Sequence, residues 1–254
     1  DYSTNSMTIK AATDNKQVIW QQSLKFDIPD LPGRVESLKK VLNSLHKKSA
    51  ISESEAAVFN TKISELRNRT QQKNIDTKSL VQLPRDIHTI YCRLTDLGRL
   101  NNSINREYFV TNPVSTQKIP RNASDPGPFA RNLKIAMAKA EYEPVQIAVC
   151  PILNDLKGVN VSVGNLSGPN GAVIPKNRVV ITPVTSVNCI YSTTGAKFKG
   201  QVPDVLIPNN TIDVTAGNRQ PFFITVQTLA SDTAGEYHGT VNISVDNSTS
   251  TTLP

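Results

Sequence analysis

The chain has few of the residues that usually announce a chemistry. Among its 254 residues are 3 histidines, 3 cysteines, 1 tryptophan and 12 glycines. Aromatic residues make up 6%, and the single tryptophan, Trp20, lies near the N-terminus, which argues against a sugar-binding face paved with indole rings. His46, His88 and His238 are isolated, with no second histidine or carboxylate at metal-ligand spacing. His46 precedes Lys47 and Lys48 at the end of a helical pattern, where a cation suits the helix dipole. Cys92, Cys150 and Cys189 are an odd count, so at least one thiol has no partner within the chain. Cys150 and Cys189 both fall in β-like runs, and a cross-strand bridge and buried free thiols are both compatible with that placement. A Gly-x-Ser-x-Gly elbow, a glycine-rich phosphate loop and a Cys-x-x-Cys pair are all missing. No run approaches the roughly 18 apolar residues of a membrane-spanning helix. Blocks of like charge are missing too. The 28 basic and 21 acidic residues give a net charge of +7, yet the signs interleave, as in Arg34-Val35-Glu36 and Glu65-Leu66-Arg67. This is a mixed, mildly basic surface rather than a nucleic-acid footprint. The expectation is a chain with no metal site, no cofactor, no nucleic-acid partner, no membrane span and no catalytic constellation of its own.

What is present is enough for a core. Hydrophobic residues are 38% and charged residues 19%, and the length suits one large domain or two modest ones. Residues 1–29 form a lead segment with one β-like run, Gln17-Val18-Ile19-Trp20, continuing through Leu24 and Phe26. The period then changes. Leu31, Val35, Leu38, Leu42 and Leu45 recur at three and four residues, the spacing of one helix face, and Pro32 suits its first turn. Ser52 with Glu55 reads as a capping box, with Ala56, Phe59, Ile63 and Leu66 facing inward. A third helix follows Pro84, carrying Ile87, Ile90, Tyr91, Leu94 and Leu97, and stops at Gly98. Residues 30–100 are therefore expected to be a helical hairpin or three-helix segment.

Residues 101–130 carry many breakers, including Pro113, Pro120 and Asp125-Pro126-Gly127-Pro128, and read as a connector with one strand-like run, Tyr108-Phe109-Val110. From 131 to 247 the character is β. Val145–Cys150 is a strand, Val159–Val163 alternates, Val179-Val180-Ile181 looks central, Phe222, Ile224 and Val226 share a face, and 235–245 reads as one long alternating strand. Turn signals at Pro169-Asn170-Gly171, Pro208-Asn209-Asn210 and Ala216-Gly217-Asn218 punctuate these runs. The fold class is thus a multi-part α+β chain, an antiparallel β-sandwich preceded by helices. Residues 248–254 read as a polar linker to a further domain, and the opening Asp1-Tyr2-Ser3, with no initiator methionine, as a processed or internal start.

Three sets of residues could carry function. Glu141 and Glu143 are two apart and would share one face of a strand, so they are the tempting pair for a glycosidase, which needs two carboxylates about 5–10 Å apart. They open a sandwich strand, however, where no barrel mouth holds a sugar, and are read as structural. Asp204 and Asp232 lie near turns and are expected to tie loops. Asn68, Asn101, Asn122, Asn160, Asn165, Asn209, Asn242 and Asn247 each begin an Asn-x-Ser/Thr triplet and are candidate glycan acceptors in an exported protein, with Asn160 and Asn242 outward on their strands.

Four segments of the β half share an order with a known family. Ala140-Glu141-Tyr142-Glu143-Pro144-Val145-Gln146, Val202-Pro203-Asp204-Val205-Leu206-Ile207-Pro208, Asn218 through Val226, and Ala234-Gly235-Glu236-Tyr237-His238-Gly239 follow one another in the chain. Together they resemble the sandwich that precedes the barrel in glycoside hydrolase family 123 and its relatives, among them large bacterial proteins of unassigned function. The departures are Phe223, where the family often has tryptophan, and Ala140, where it has glycine. The resemblance covers about 131–250 and places the family's catalytic acidic pair in a barrel beyond this sequence, so no catalytic residue carries over. It implies an accessory region of a secreted or cell-surface hydrolase whose partner is a downstream barrel of the same polypeptide. A structural or adhesive surface module and a stand-alone carbohydrate-binding module, with glycans as partners, are the competing expectations.

Overall fold

A computed structural model of the chain describes residues 2–12, 18–72, 75–100, 107–189, 200–208 and 211–254, with side chains from Asp30 onward apart from Thr77, Arg99 and Gly200. The chain divides into two compact units, residues 1–91 and 92–254, and the division falls within a helix.

In the first unit, β1 (Tyr2–Ala12) and β2 (Val18–Pro29) pair antiparallel from Tyr2 opposite Pro29 to Ala11 opposite Trp20. The sequence suggested only the second strand. The first is largely Ser, Thr, Asn and Lys, and its apolar alternation is confined to Met7, Ile9 and Ala11. Gln17, the start of the expected run, lies outside the described residues.

Helix α1 (Leu31–Lys47) starts where Asp30 accepts a hydrogen bond from the Gly33 amide at 2.9 Å, with Pro32 in the first turn. Leu31, Val35, Leu38 and Leu42 are buried and Leu45 is half-buried. Helix α2 (Glu53–Thr70) opens on the expected capping box: the Glu55 amide donates to Ser52 Oγ, and the Ser52 amide donates to Glu55 Oε2 at 2.7 Å. Ala56, Phe59, Ile63 and Leu66 are buried, and α2 packs on α1, with Arg67 reaching Glu36 across the pair.

Helix α3 (Thr77–Arg99) begins well before Pro84, which sits inside it. Asp76 fixes this earlier start by accepting from the Ser79 amide at 2.9 Å and from its hydroxyl at 2.8 Å. Pro84 costs one i→i−4 bond, and the apolar stripe around it, from Leu83 through Ile87 and Ile90, keeps the helix in place. Tyr91, expected to face inward, is 46% exposed. The helix also passes Gly98 and ends at Arg99.

The second unit is a β-sandwich. One sheet has five strands in the order β3 (Tyr108–Thr111), β4 (Tyr142–Pro151), β11 (Gln220–Gln227), β8 (Val179–Cys189), β9 (Gly200–Leu206). The other has four, in the order β10 (Thr211–Val214), β5 (Leu156–Val163), β12 (Val241–Ser244), β13 (Thr251–Leu253). A hairpin of β6 (Leu166–Ser167) and β7 (Val173–Ile174) turns through Asn170 and Gly171, both at positive φ, as the Asn-Gly signal requires. All sandwich pairings are antiparallel. Because side chains alternate across a strand, Val145, Ile147, Val149, Phe222 and Ile224 meet Val159, Val161, Val241 and Ile243 in the core between the sheets.

Strand β4 is buried on both faces, since Gln146, Ala148 and Cys150 on its outer side are also covered. The cover is the connector. Thr111 Oγ1 donates to the Pro126 carbonyl at 2.9 Å, Asn112 N donates to Pro128 O at 2.9 Å, and the rings of Phe109 and Phe129 meet edge to face at 5.2 Å. The strand-like run at Tyr108 is therefore an edge strand of the sheet.

Two further expectations change. Only Val241–Ser244 of the supposed long strand at 235–245 joins a sheet; Gly235 at φ +147 breaks the run, and His238 makes an isolated bridge to Ser167. The tail read as a linker folds back as β13, because Leu253 reaches the core and the Tyr108 hydroxyl donates to the Thr249 carbonyl at 2.7 Å.

Candidate functional site

The four family-like segments can be located one by one. In the five-stranded sheet, Ile147 and Phe222 are opposite each other and point into the core, so their neighbours Gln146 and Phe223, also opposite each other, point outward. Pro203 and Leu206 of β9 reach the same outer side beside Val184. Three of the four segments thereby meet in one part-open cleft of about 240 Å³, roofed on one side by loop 115–119 and lined by Ile119, Gln146, Asp204, Leu206, Pro221 and Phe223 among others.

The loop is held from below. Gln146, 2% exposed, donates through Nε2 to the carbonyls of Val114 (3.2 Å) and Gln117 (3.0 Å). Asn112 Nδ2 donates to the Gln146 carbonyl at 2.8 Å, and Ser115 Oγ to the Pro144 carbonyl at 2.8 Å. The glutamine of the first segment is thus the peg on which the connector hangs. Across the mouth, Lys118 Nζ stands 2.5 Å from Asp204 Oδ1, both side chains about half exposed. At the edge of the cleft Leu206 is 51% exposed, and Val180 lies open on the same sheet face.

That composition limits the chemistry. Among the lining residues Asp204 is the lone carboxylate, and it is already paired. Glycoside hydrolysis needs a second, and no histidine, cysteine or tyrosine lines the cleft. Apolar area flanked by one ion pair suits contact with another protein surface.

The tempting pair, Glu141 and Glu143, have separate surroundings. Glu141 precedes β4, and its carboxylate turns back to accept from the Ala138 amide. Its own amide donates to Thr228 Oγ1 at 3.1 Å, and its carbonyl accepts from the Thr228 amide at 2.9 Å. Both ends of a tight turn are fastened this way, with Ala140 held at φ +60. Glycine is relaxed there and alanine is strained, which gives a physical reason for the family's glycine at this place. Glu143 is half-buried on β4 opposite Val226.

Asp232 does tie a loop, as expected. It accepts from the Leu229 amide at 2.7 Å and pairs with Arg178 at 2.6 Å, both side chains largely shielded. The Arg178 guanidinium, with the Leu229 amide, holds the Asp232 carboxyl below the usual carboxylate range. The fourth segment is built for close approach. A Cβ on Gly235 would meet Pro169 Cγ at 2.7 Å and one on Gly239 would meet Leu166 Cδ2 at 2.3 Å, so side chains of the β6–β7 hairpin, rather than backbone, occupy that space.

One cluster gave no local signal. Arg219, fully buried, pairs through Nη2 with Asp96 near the end of α3, donates through Nε to the Ala123 carbonyl at 3.0 Å, and lies over the Phe109 ring at 5.8 Å. One guanidinium thus ties Asp96 of the helix end, the connector and the sheet. Arg93 adds to this by donating to the carbonyls of Ile152 and Leu153. Cys92 and Cys150 lie within the electrostatic reach of this pair. Burial raises both thiols, Cys150 to about 12, so neither is an activated nucleophile. All three cysteines are free, which removes the Cys150–Cys189 bridge.

Among the described residues no group of three or more His, Cys, Asp and Glu could hold a metal, and no helix is long and apolar enough to cross a membrane. His46 stands 3.1 Å from Glu53, and His238 is exposed 3.8 Å from Glu236. Of the candidate acceptor asparagines, Asn68, Asn122, Asn165, Asn242 and Asn247 are exposed; Asn242 Oδ1 accepts from Thr252 Oγ1 at 3.0 Å, and Asn247 accepts from the Lys157 amide and donates to the Asp155 carbonyl. The Oδ1 of Asn165 accepts from the Lys176 amide, and Asn160 donates to Thr211 at 3.4 Å. Asn101 and Asn209 lie outside the described residues.

No protein-family model matches the chain, and no curated protein matches it. Among solved structures it is similar to a family 123 glycoside hydrolase from Clostridium perfringens, studied for the details of its glycolipid glycan hydrolysis, at 14% identity and a TM-score of 0.50. The match covers 58% of this chain and 26% of that one, so the shared part is about a quarter of the solved protein. At that identity the likeness is one of fold alone.

Proposed function

We propose that this chain is a non-catalytic supporting region of a larger, exported glycoside hydrolase-like protein, and that its sandwich steadies a catalytic domain elsewhere in the same polypeptide. The observation that carries the reading is the convergence of Gln146, Asp204, Leu206, Pro221 and Phe223, from three separate segments, on one part-open apolar cleft with a single paired carboxylate. A surface of that kind binds by excluding water, and a rigid neighbour can fix loop positions around a separate active site. The fold it shares with the family 123 enzyme, as a fraction of that enzyme's length, supports the same reading. Exposed sequons such as Asn122 and Asn242 are compatible with an exported protein.

The test is enzymatic. The purified chain is incubated with a panel of aryl glycosides, beside Glu141→Gln and Glu143→Gln variants. The expected result is release of aglycone at the buffer rate for all three proteins. Turnover by the wild-type chain that disappears in either variant refutes the supporting role.

A further inference from the structure

We draw no further inference here: the strongest candidate, the part-open apolar cleft on the outer face of the five-stranded sheet between loop 115–119 and β9, belongs to the site already described, and nothing in the structure shows what covers it.

Discussion

Replacing Arg219 with methionine removes the guanidinium that faces Asp96, while the carboxylate stays where it is. The two side chains are 0% and 1% exposed, so water cannot take over as the partner. Breaking a buried pair from one side costs about 3–5 kcal/mol, because the remaining charge is stranded. The Ala123 carbonyl loses its Nε donor at the same time. Set against a typical domain stability of about 5–15 kcal/mol, this is at least about a fifth of the total. At about 2–4 °C per kcal/mol for a domain of this size, the sandwich should melt roughly 6–20 °C lower. The double variant Asp96→Leu/Arg219→Met removes both charges, and apolar replacement of a buried pair is often neutral or better, so it should recover most of the loss. Urea unfolding of wild type, both single variants and the double variant closes the cycle, followed by near-ultraviolet circular dichroism. Because the chain has two compact units, the transitions need not coincide, and only the sandwich transition should move. A single variant within about 1 kcal/mol of wild type, or a double variant no better than the singles, refutes the assignment of this pair as the fastening of α3 and connector to the sheet.

Two other outcomes follow from the geometry. The Asp232 carboxyl is held low in the folded state, so its contribution is present above the unfolded value, near 3.8, and fades as pH falls through the lower folded value; the side-chain carboxyl resonance of Asp232 should titrate below that of a free aspartate, and Arg178→Leu should move its midpoint up, with an unchanged midpoint counting against the pair. Leu206 is half exposed at the cleft rim, so Leu206→Lys should leave the chain's own unfolding within about 0.5 kcal/mol, whereas in the longer polypeptide proposed above it should loosen the proposed contact between sandwich and catalytic domain, measured as faster limited proteolysis between them; no change there counts against this face as the contact.

Much of the fold was legible because its signals are local. Ser52 and Glu55 are three residues apart and make the capping box the sequence announces. The alternation at Val159–Val163 and at Phe222, Ile224 and Val226 buries Val159, Val161, Phe222, Ile224 and Val226. Reading failed where tertiary contacts outweigh local rules. Pro84 looked like a boundary, yet Leu83, Ile87 and Ile90 are buried around it and the helix runs through. Tyr237 alternates with Gly239 and Val241, but its ring lies over Gly168, where an added Cβ would stand 2.3 Å from it, and the chain leaves the sheet. The tail of serines and threonines carries one apolar residue, Leu253, and that residue draws it back into the core. Of the cleft, Asp204 and the glutamine motif were visible as segments, but their convergence depends on the order β4-β11-β8-β9, which no local pattern encodes. Asp96 and Arg219 are 123 positions apart, and each alone reads as an ordinary surface charge.

The central claim is that this sequence is part of a longer protein whose chemistry lies elsewhere, and the most direct test is the intact mass of the protein recovered from its native source. The sequence alone accounts for 27.8 kDa. A mass several times larger, with glycoside hydrolase activity in the remainder, is the predicted result. A mass at that value, in a protein that does its work alone, would contradict it.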